Sequence, residues 1–397
     1  MKLYLHIGTE KTGTTSIQDF LVANESKLFD LGYGISKVSG IGNNRKLAAF
    51  SMRDERSDDF FEASNLTTVD ARVQFKKHFR EEFESELQNL AENVHSVIIS
   101  SEHFHSRCVN EDELQKLKAL LVKYFDEINV ICYFRPQVEL ATSLYSTALR
   151  VGFTHTAVEF ISNELRLDNY YYNYLDIYQN WVGVFGKSNM NVRLYGKQNF
   201  RGGDLMEDFC YSIGLDYSTC GFSSVPSSNK SINHIGQLML RRLNDSLSRN
   251  ESADNEIRRQ FVSWLESKYD GKGFRCPYET EVKLQQKFDE VNRAVLHKAG
   301  YGASKLFSIQ PSRGDLDDSS VAQDLIDVTL ELWKEKSCLT DHEINVIRDS
   351  AVELEGKNVS AAIELMKLAQ KFRPEGTYIK NKLATYEEKV GRRNQWI

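Results

Sequence analysis

A loop near the start of the chain has the residues needed to bind a phosphate or a similar oxyanion. It runs Gly8-Thr9-Glu10-Lys11-Thr12-Gly13-Thr14-Thr15-Ser16. Glycines let backbone N–H groups converge on an anion, and a helix that begins there adds a partial positive charge. The threonines add hydroxyl donors, and Lys11 adds a mobile full charge. A tight turn capped by threonine would use some of these residues. The combination of a lysine, two glycines and paired threonines favours the anion site.

The elements that would position this loop are those of an α/β domain. Four apolar stretches predict strands, at residues 2–7, 96–100, 128–134 and 191–195. Apolar residues recur at helical spacing after the loop, at Ile17, Phe20, Leu21 and Leu28. Asn110 and Glu113 have the spacing of a capping box at the start of another helix. Strands separated by helices pair in parallel and bind ligands at their carboxyl ends. We therefore predict a parallel sheet flanked by helices.

Three further stretches complete the predicted organisation. Residues 34–68 are polar and irregular, and we interpret them as an insertion over the active edge, where acceptor-binding elements often lie. Residues 311–320 combine Pro, Gly, Ser and Asp, as linkers do. Residues 321–397 are predicted to form an α-helical C-terminal extension. It is either an ordinary helical cap or a hairpin like a tetratricopeptide repeat, because two alanines and a proline have the spacing of that repeat's second helix.

Composition restricts the class of protein. The 397 residues include 50 Lys plus Arg and 56 Asp plus Glu, which gives a net charge of −6. This charge argues against a protein whose main function is to bind along nucleic acid or an anionic membrane. No apolar run approaches the ~18–20 residues that span a bilayer, and the first ten residues lack the features of a secretory signal. The six cysteines form no CxxC pair, and no His or Cys cluster has metal-ligand spacing. We expect a cytoplasmic globular protein without a metal site.

The order of residues in the loop separates it from the common ATP-binding loop. That loop reads GxxxxGK[ST], with lysine directly after the second glycine. Here Thr14 follows Gly13, and Lys11 lies two places before it. No predicted strand ends in the Asp pattern that would hold magnesium either. The segment Lys11-Thr12-Gly13-Thr14-Thr15 instead resembles the 5′-phosphosulfate loop of the sulfotransferases that use 3′-phosphoadenosine 5′-phosphosulfate (PAPS). That loop has the form Lys-x-Gly-Thr-Thr within a P-loop-type fold.

A second signature of that family concerns the 3′-phosphate that distinguishes PAPS from ATP. The family carries an arginine at the end of a later strand and a serine eight residues on, which together bind this phosphate. Arg135 follows the predicted strand 128–134, and Ser143 has the matching spacing. Alone, Arg-Pro after a strand would more often be a structural turn, but an arginine also offers a planar fork matched to phosphate. The resemblance implies that residues 11–15 bind the 5′ end of PAPS, and that Arg135 and Ser143 bind the 3′-phosphate.

The resemblance also implies catalytic roles. An acceptor hydroxyl that attacks sulfur must lose its proton to a base. In the family this base commonly follows the strand that precedes the arginine-bearing strand, the place of Ser100-Ser101-Glu102-His103-Phe104-His105 here. Glu102 is the first choice and His103 the second, since several carbohydrate sulfotransferases use glutamate at this place. Lys11 would neutralise charge on the bridging oxygen as its bond to sulfur breaks.

The function implied is transfer of the sulfuryl group of PAPS to an acceptor hydroxyl, with adenosine 3′,5′-bisphosphate as product. Residues 1–310 would form the sulfotransferase domain, most like bacterial carbohydrate sulfotransferases. The insertion at 34–68 and the Glu102 base resemble those of enzymes that modify saccharides, so we expect a saccharide or glycolipid acceptor, with a small alcohol or phenol as the alternative, and no essential metal. The helical extension would serve a protein partner or self-association. Two alternatives stay open. One is a P-loop kinase or NTPase that acts on a small molecule with magnesium, and the other is a non-catalytic scaffold that works through its helical tail.

Overall fold

A parallel β-sheet organises the N-terminal part of the chain. The computed structural model describes residues 1–224, 231–302, 307–309, 329–330 and 339–393. Over these residues five strands pair in the order β2-β3-β1-β4-β5, all parallel. They are β1 (Lys2–His6), β2 (Tyr33–Ile35), β3 (Ser96–Ser100), β4 (Glu127–Phe134) and β5 (Met190–Leu194). The predicted α/β class is confirmed, and the four predicted strands correspond to β1, β3, β4 and β5.

Helices make up most of the remaining described chain. Along the sequence they are α1 (Thr14–Ala23), α2 (Glu25–Asp30), α3 (Arg45–Ser51), α4 (Asp59–Ala63), α5 (Val69–Ala91), α6 (His103–Arg107), α7 (Glu111–Leu121), α8 (Gln137–Arg150), α9 (Ala157–Glu164), α10 (Tyr174–Phe185), α11 (Leu205–Ser212), α12 (Tyr217–Cys220), α13 (His234–Asp245), α14 (Ser252–Lys268), α15 (Tyr278–Gln286), α16 (Asp289–Lys298), α17 (Asp341–Leu354), α18 (Val359–Phe372) and α19 (Thr377–Arg393), with 3₁₀ turns at Lys187–Asn189 and Arg201–Gly203. The predicted capping box starts α7. Within the described ranges, no helix is both long and apolar enough to cross a bilayer.

The chain divides into two compact units. The first comprises Met1–Leu144, Val158–Asn229 and Arg275–Gly314, and the second comprises Tyr145–Ala157, Lys230–Phe274 and Asp315–Ile397. The first unit contains the whole sheet. In the second, α17, α18 and α19 enclose a small apolar core that includes Ala362 and Ala369. The helical C-terminal region is thus confirmed. The predicted linker at 311–320 lies outside the described residues, and the boundary at 310 and the repeat-like hairpin stay predictions.

The predicted helix after the loop is two helices, α1 and α2, because Asn24 interrupts it. The Asn24 side chain is buried, and its amide donates to the carbonyl oxygens of Phe20 and Ser223 at 2.9 and 3.1 Å. The side-chain Oδ1 of Asn24 accepts from the Ser223 N–H at 2.7 Å. Asparagine favours such local bonds over the helical ladder. The apolar spacing carried on to Leu28 and therefore hid the break.

The segment 34–68 is more regular than its composition predicts. Its first residues belong to β2, which pairs with β3 at the edge of the sheet, and α3 and α4 lie further along it. The strand escaped prediction because it has only three residues, too few for an alternating pattern. Asp58 caps α4 by accepting from the backbone N–H groups of Phe60 and Phe61.

A buried amide cluster fixes the start of α8 against α15 and α16. Gln137 is fully buried, and its amide donates to Asn292 Oδ1 at 2.7 Å and to the Tyr172 carbonyl at 3.2 Å. Its Oε1 accepts from the side-chain amides of Gln285 and Asn292 at 2.6 and 3.0 Å. Gln285 in turn accepts from the Val138 N–H at 3.1 Å. The cluster anchors the turn that follows β4.

We expect Gln137→Ala to lower the free energy of unfolding by about 2–4 kcal/mol, because it leaves two buried amides without partners. Chemical denaturation of the whole chain measures this loss. The matched control is Gln286→Ala, at an exposed position of α15, which should cost less than about 0.5 kcal/mol. Equal effects of the two substitutions would contradict the role of the cluster.

Candidate functional site

The loop 8–16 leaves β1 and is held against β4 by its first residues. The Thr9 N–H and hydroxyl both donate to the Tyr133 carbonyl, at 3.1 and 3.0 Å, and the Tyr133 N–H donates to the Gly8 carbonyl. The buried Thr12 hydroxyl donates to the Thr9 carbonyl at 2.5 Å. Of the residues predicted to bind the cofactor, Thr12 therefore has only its backbone N–H to offer an anion.

Helix α1 begins at the end of the loop with a polar first turn that carries no acidic residue. Gly13 precedes it with φ of 75°, and no described side chain caps the helix. Its first N–H groups have no partner within the helix and point out of its end, where the partial positive charge lies. Thr14 is buried and Thr15 is exposed. This geometry suits the binding of an oxyanion.

Gly13 is required both by its backbone conformation and by its neighbours. A φ of 75° is in the left-handed region, which glycine adopts without steric cost. A Cβ at Gly13 would lie 2.4 Å from Leu205 Cδ2 and 3.4 Å from the Tyr195 ring. Tyr195 directly follows β5, so the loop also lies beside the end of that strand.

Arg135 lies directly against the loop, so the two signatures read from the sequence converge. Its Nη1 donates to the Lys11 carbonyl at 2.7 Å, and its Nη2 pairs with Glu139 at 3.0 Å. The guanidinium stands over the Tyr195 ring, 5.2 Å from its centroid. The Tyr174 hydroxyl donates to the Arg135 carbonyl at 2.8 Å. Arg135 Nε is buried and has no hydrogen-bond partner among the described residues.

Ser143 lies on α8, eight residues after Arg135. It occupies the second turn of this helix and is half-buried. Among the hydrogen bonds of the described residues, none joins Ser143 to Arg135 or to the loop. The structure therefore brings Arg135 into contact with the loop, whereas Ser143 lies on the helix that follows Arg135.

Glu102 lies on the other side of the loop, two residues after the end of β3 at Ser100. Its Oε2 accepts from the Gln18 side-chain amide of α1 at 2.7 Å. A Cβ at Gly8 would lie 3.1 Å from Glu102 Cα, so the two backbones are in close contact. Gly8 has a φ of 92° and is a second position where glycine is required. The first candidate base thus borders the predicted donor loop.

His103, the second candidate base, begins α6. Its Nδ1 is buried and has no hydrogen-bond partner in the described part of the chain. Burial lowers the pKa of His103, and the charges of Arg45 and Arg107 lower it further, against the opposing influence of Glu102 and Glu10. The imidazole is therefore neutral at pH 7 and able to accept a proton. Both candidate bases stay open on this geometry.

Asn44 fixes the segment 34–68 to the end of β3, a feature that the sequence did not reveal. Its Oδ1 accepts from the Ser100 N–H at 2.8 Å, and its amide donates to Ser39 Oγ and the Gly40 carbonyl at 2.7 and 2.8 Å. The following residue, Arg45, is buried. Its guanidinium pairs with Asp58. A lone asparagine in a polar stretch carries no pattern that would have predicted this attachment.

Two carboxylates, those of Asp59 on α4 and of its cap residue Asp58, pair with both Arg45 and Arg107, and Arg107 belongs to α6. Arg107 donates to Asp58 at 3.0 Å and to Asp59 at 3.1 Å, and Arg45 also pairs with Asp59 at 3.3 Å. Arg45 Nη1 is buried without a hydrogen-bond partner among the described residues. The segment 34–68 therefore contributes charged groups to the surroundings of His103. Over the described residues, no three His, Cys, Asp or Glu side chains form a group that could hold a metal ion.

Comparisons with known proteins give loose likenesses. No family model matches the chain. An uncharacterized protein of Archaeoglobus fulgidus is 27% identical over 152 residues, which is 38% of this chain; the match spans 39% of that relative's length. Two solved structures are similar. A sulfotransferase from Alicyclobacillus acidocaldarius is 16% identical at a TM-score of 0.34, and the match covers 67% of this chain and 94% of that sulfotransferase chain. The sulfotransferase domain of the Synechococcus PCC 7002 olefin synthase is 14% identical at a TM-score of 0.28, and the match covers 72% of this chain and 94% of that domain.

His6 ends β1 beneath the loop and is fully buried. Its Nδ1 is 2.8 Å from Ser100 Oγ, and its ring packs edge-on against Tyr133 and Phe209. Burial lowers the pKa of His6 to about 3. The folded protein therefore keeps this imidazole neutral, whereas the unfolded chain protonates it below its ordinary pKa of about 6.5.

We expect the free energy of unfolding to fall as the pH is lowered from about 7 to 5, since only the unfolded state gains the His6 proton in this range. By pH 5, protonation of His6 in the unfolded chain should lower the free energy of unfolding by about 2 kcal/mol. His6→Gln should remove that part of the pH dependence, measured by denaturation at several pH values. The exposed His342→Gln is the control and should leave the slope unchanged. An unchanged slope in His6→Gln would contradict the neutral state of His6.

Proposed function

We propose that the chain is a sulfotransferase that moves the sulfuryl group of PAPS to an acceptor hydroxyl. One observation carries the proposal: the motifs that resemble those of this family lie together at the carboxyl edge of the sheet. Arg135 donates to the carbonyl of Lys11, 124 positions away in the chain. The backbone of Glu102 contacts the start of the same loop at Gly8.

The residues present fit a nucleotide with phosphates at both its 5′ and 3′ positions. The uncapped first turn of α1, the hydroxyls of Thr14 and Thr15 and the backbone of Thr12 and Gly13 would hold the 5′-phosphosulfate. Lys11 would add charge at the bridging oxygen. PAPS, when bound, supplies the sulfuryl group that is transferred. With these cationic and N–H groups around the donor, the proposal requires no metal ion.

Arg135 is the residue that would select for the 3′-phosphate. Its guanidinium is already held by the Lys11 carbonyl and Glu139, so little ordering is needed when a ligand binds. The buried Nε is a donor to which a phosphate oxygen could provide the acceptor. The Ser143 hydroxyl would complete the contact from α8. The Glu139 carboxylate, which pairs with Arg135, would oppose a nearby phosphate and lower the affinity for it.

Glu102 would accept the proton of the acceptor hydroxyl as the new bond to sulfur forms. The Gln18 amide holds one carboxylate oxygen and leaves the other able to face an acceptor. The neutral His103 is the alternative base. For the acceptor we propose a saccharide or glycolipid hydroxyl, supported by the family resemblance and by the segment 34–68, which Asn44 fixes beside the candidate bases. Cytoplasmic localisation and partner binding through the C-terminal helices stay predictions.

Arg135→Ala should weaken binding of adenosine 3′,5′-bisphosphate about 10–100-fold, the effect of losing charge-assisted hydrogen bonds. Binding of adenosine 5′-monophosphate should change little, because that ligand lacks the 3′-phosphate. Isothermal titration calorimetry measures both. The control is Arg166→Ala, an exposed arginine that pairs with Asp168 at the surface. Equal weakening of the two nucleotides would exclude Arg135 as the 3′-phosphate ligand.

Lys11→Ala should lower the rate of transfer from sulfur-labelled PAPS at least about 100-fold, as loss of a group that stabilises developing charge does. Lys77→Ala, at an exposed position of α5, serves as the control. A panel of saccharides, glycolipids and simple alcohols identifies the acceptor in the same assay. Wild-type activity in the Lys11 variant would refute the assignment.

The base is identified by comparing Glu102→Gln with His103→Asn. Loss of general-base catalysis lowers kcat about 10²–10⁴-fold. We expect Glu102→Gln to show this loss with unchanged bisphosphate affinity, and His103→Asn to retain most of the activity. The reverse result would make His103 the base and leave Glu102 as its neighbour.

A further inference from the structure

A closed set of hydrogen bonds outside the predicted site joins the loop, α6 and Tyr171. His105 is buried within α6, only 1% exposed. Its Nδ1 accepts from the Glu10 N–H at 3.3 Å, and its Nε2 lies 2.9 Å from the Tyr171 carbonyl oxygen. The Tyr171 hydroxyl donates to Glu10 Oε2 at 2.9 Å. The rings of His105 and Tyr171 also pack with their centroids 4.4 Å apart.

These partners determine the protonation state of His105. The backbone N–H of Glu10 can only donate, so Nδ1 must be the unprotonated nitrogen. The Tyr171 carbonyl can only accept, so Nε2 carries the proton. Burial also lowers the pKa of His105, which agrees with a neutral ring. With both nitrogens occupied by backbone groups, His105 exchanges no proton with a substrate.

The position of His105 links this set to the candidate base. His105 lies three residues after Glu102, on the same short turn of helix. That turn meets the loop and α1 at two further points. One is the backbone contact between Gly8 and Glu102, and the other is the hydrogen bond from Gln18 to Glu102 Oε2. The His105 bond to Glu10 is the third point, and Glu10 directly precedes Lys11 in the chain.

We propose that His105 is a positioning residue that sets the separation between the donor loop and Glu102. The inference rests on the proposed sulfotransferase function. Two hydrogen bonds connect the Glu10 N–H through the neutral His105 ring to the Tyr171 carbonyl, and we call this connection the strut. The Tyr171 hydroxyl donates to the Glu10 carboxylate and completes the ring of contacts. The groups proposed to hold the donor are residues 11–15 and Arg135, whereas the hydrogen bonds of this strut, among the described residues, reach the loop at Glu10. Loss of the strut should therefore change catalysis more than donor affinity.

The first test replaces His105 with residues that keep or lose the acceptor toward Glu10. His105→Leu removes both hydrogen bonds, and we expect kcat to fall about 10–100-fold, because small misplacements of catalytic groups have effects of this size. The affinity for adenosine 3′,5′-bisphosphate should stay within about threefold. His105→Asn keeps an oxygen near the place of Nδ1 and should recover most of the lost kcat. Tyr171→Phe should lower kcat less than His105→Leu does.

A second measurement does not depend on activity. The ¹⁵N chemical shifts of the His105 ring at pH 7 should report the neutral tautomer with the proton on Nε2. An imidazolium ring at pH 7, or a proton on Nδ1, would overturn the strut even in an inactive preparation. The pH profile of kcat should keep its shape in His105→Leu, and loss of its acidic limb would make His105 itself the base.

The outcomes separate this inference from the proposed function. If the wild-type chain neither binds the bisphosphate nor transfers sulfate, the function and the positioning role both fail. If the wild type is active and His105→Leu keeps its kcat within about twofold, only the positioning role fails. It also fails if His105→Leu loses bisphosphate affinity and thermal stability together with kcat and His105→Asn recovers none of them, because His105 is then only a structural residue.

Discussion

The pairing of β1 with both β3 and β4 is the constraint on which the site depends. In this register His6, the last residue of β1, lies level with Ser100 of β3 and Ile131 of β4. The three strands run in parallel, so the residues that follow them emerge at one edge of the sheet. The loop 8–16, Glu102 and Arg135 are brought together by this register, although they are far apart in the chain.

The charge at this edge differs from that of the chain as a whole. A net charge of −6 excludes a broad basic surface but says nothing about a pocket. Lys11, Arg135 and the first turn of α1 concentrate positive charge and N–H donors at one point. The carboxylate of Glu139 pairs with Arg135, and Glu102 contacts the start of the loop at Gly8. The local charge at this edge is therefore set by the placement of a few groups.

The sequence predicted the features that depend on local pattern. Four of the five described strands, the capping box of α7 and the helix after the loop follow from apolar spacing and capping residues, and the glycines and threonines of the loop indicate an anion site. Apart from the three-residue strand β2, the features that it missed depend on single polar side chains. Asn24 breaks a helix whose apolar pattern continues, Asn44 attaches an irregular segment to β3, and Gln137 gathers amides from distant helices. Such contacts are set by tertiary packing and leave no periodic signal.

The most direct test of the central claim is a calorimetric titration of the wild-type chain with two nucleotides. The loop, its uncapped helix and Arg135 predict tight binding of adenosine 3′,5′-bisphosphate without metal, and weak binding of ATP with magnesium. Tight binding of magnesium–ATP with no binding of the bisphosphate would contradict the account and would instead support a P-loop kinase or NTPase.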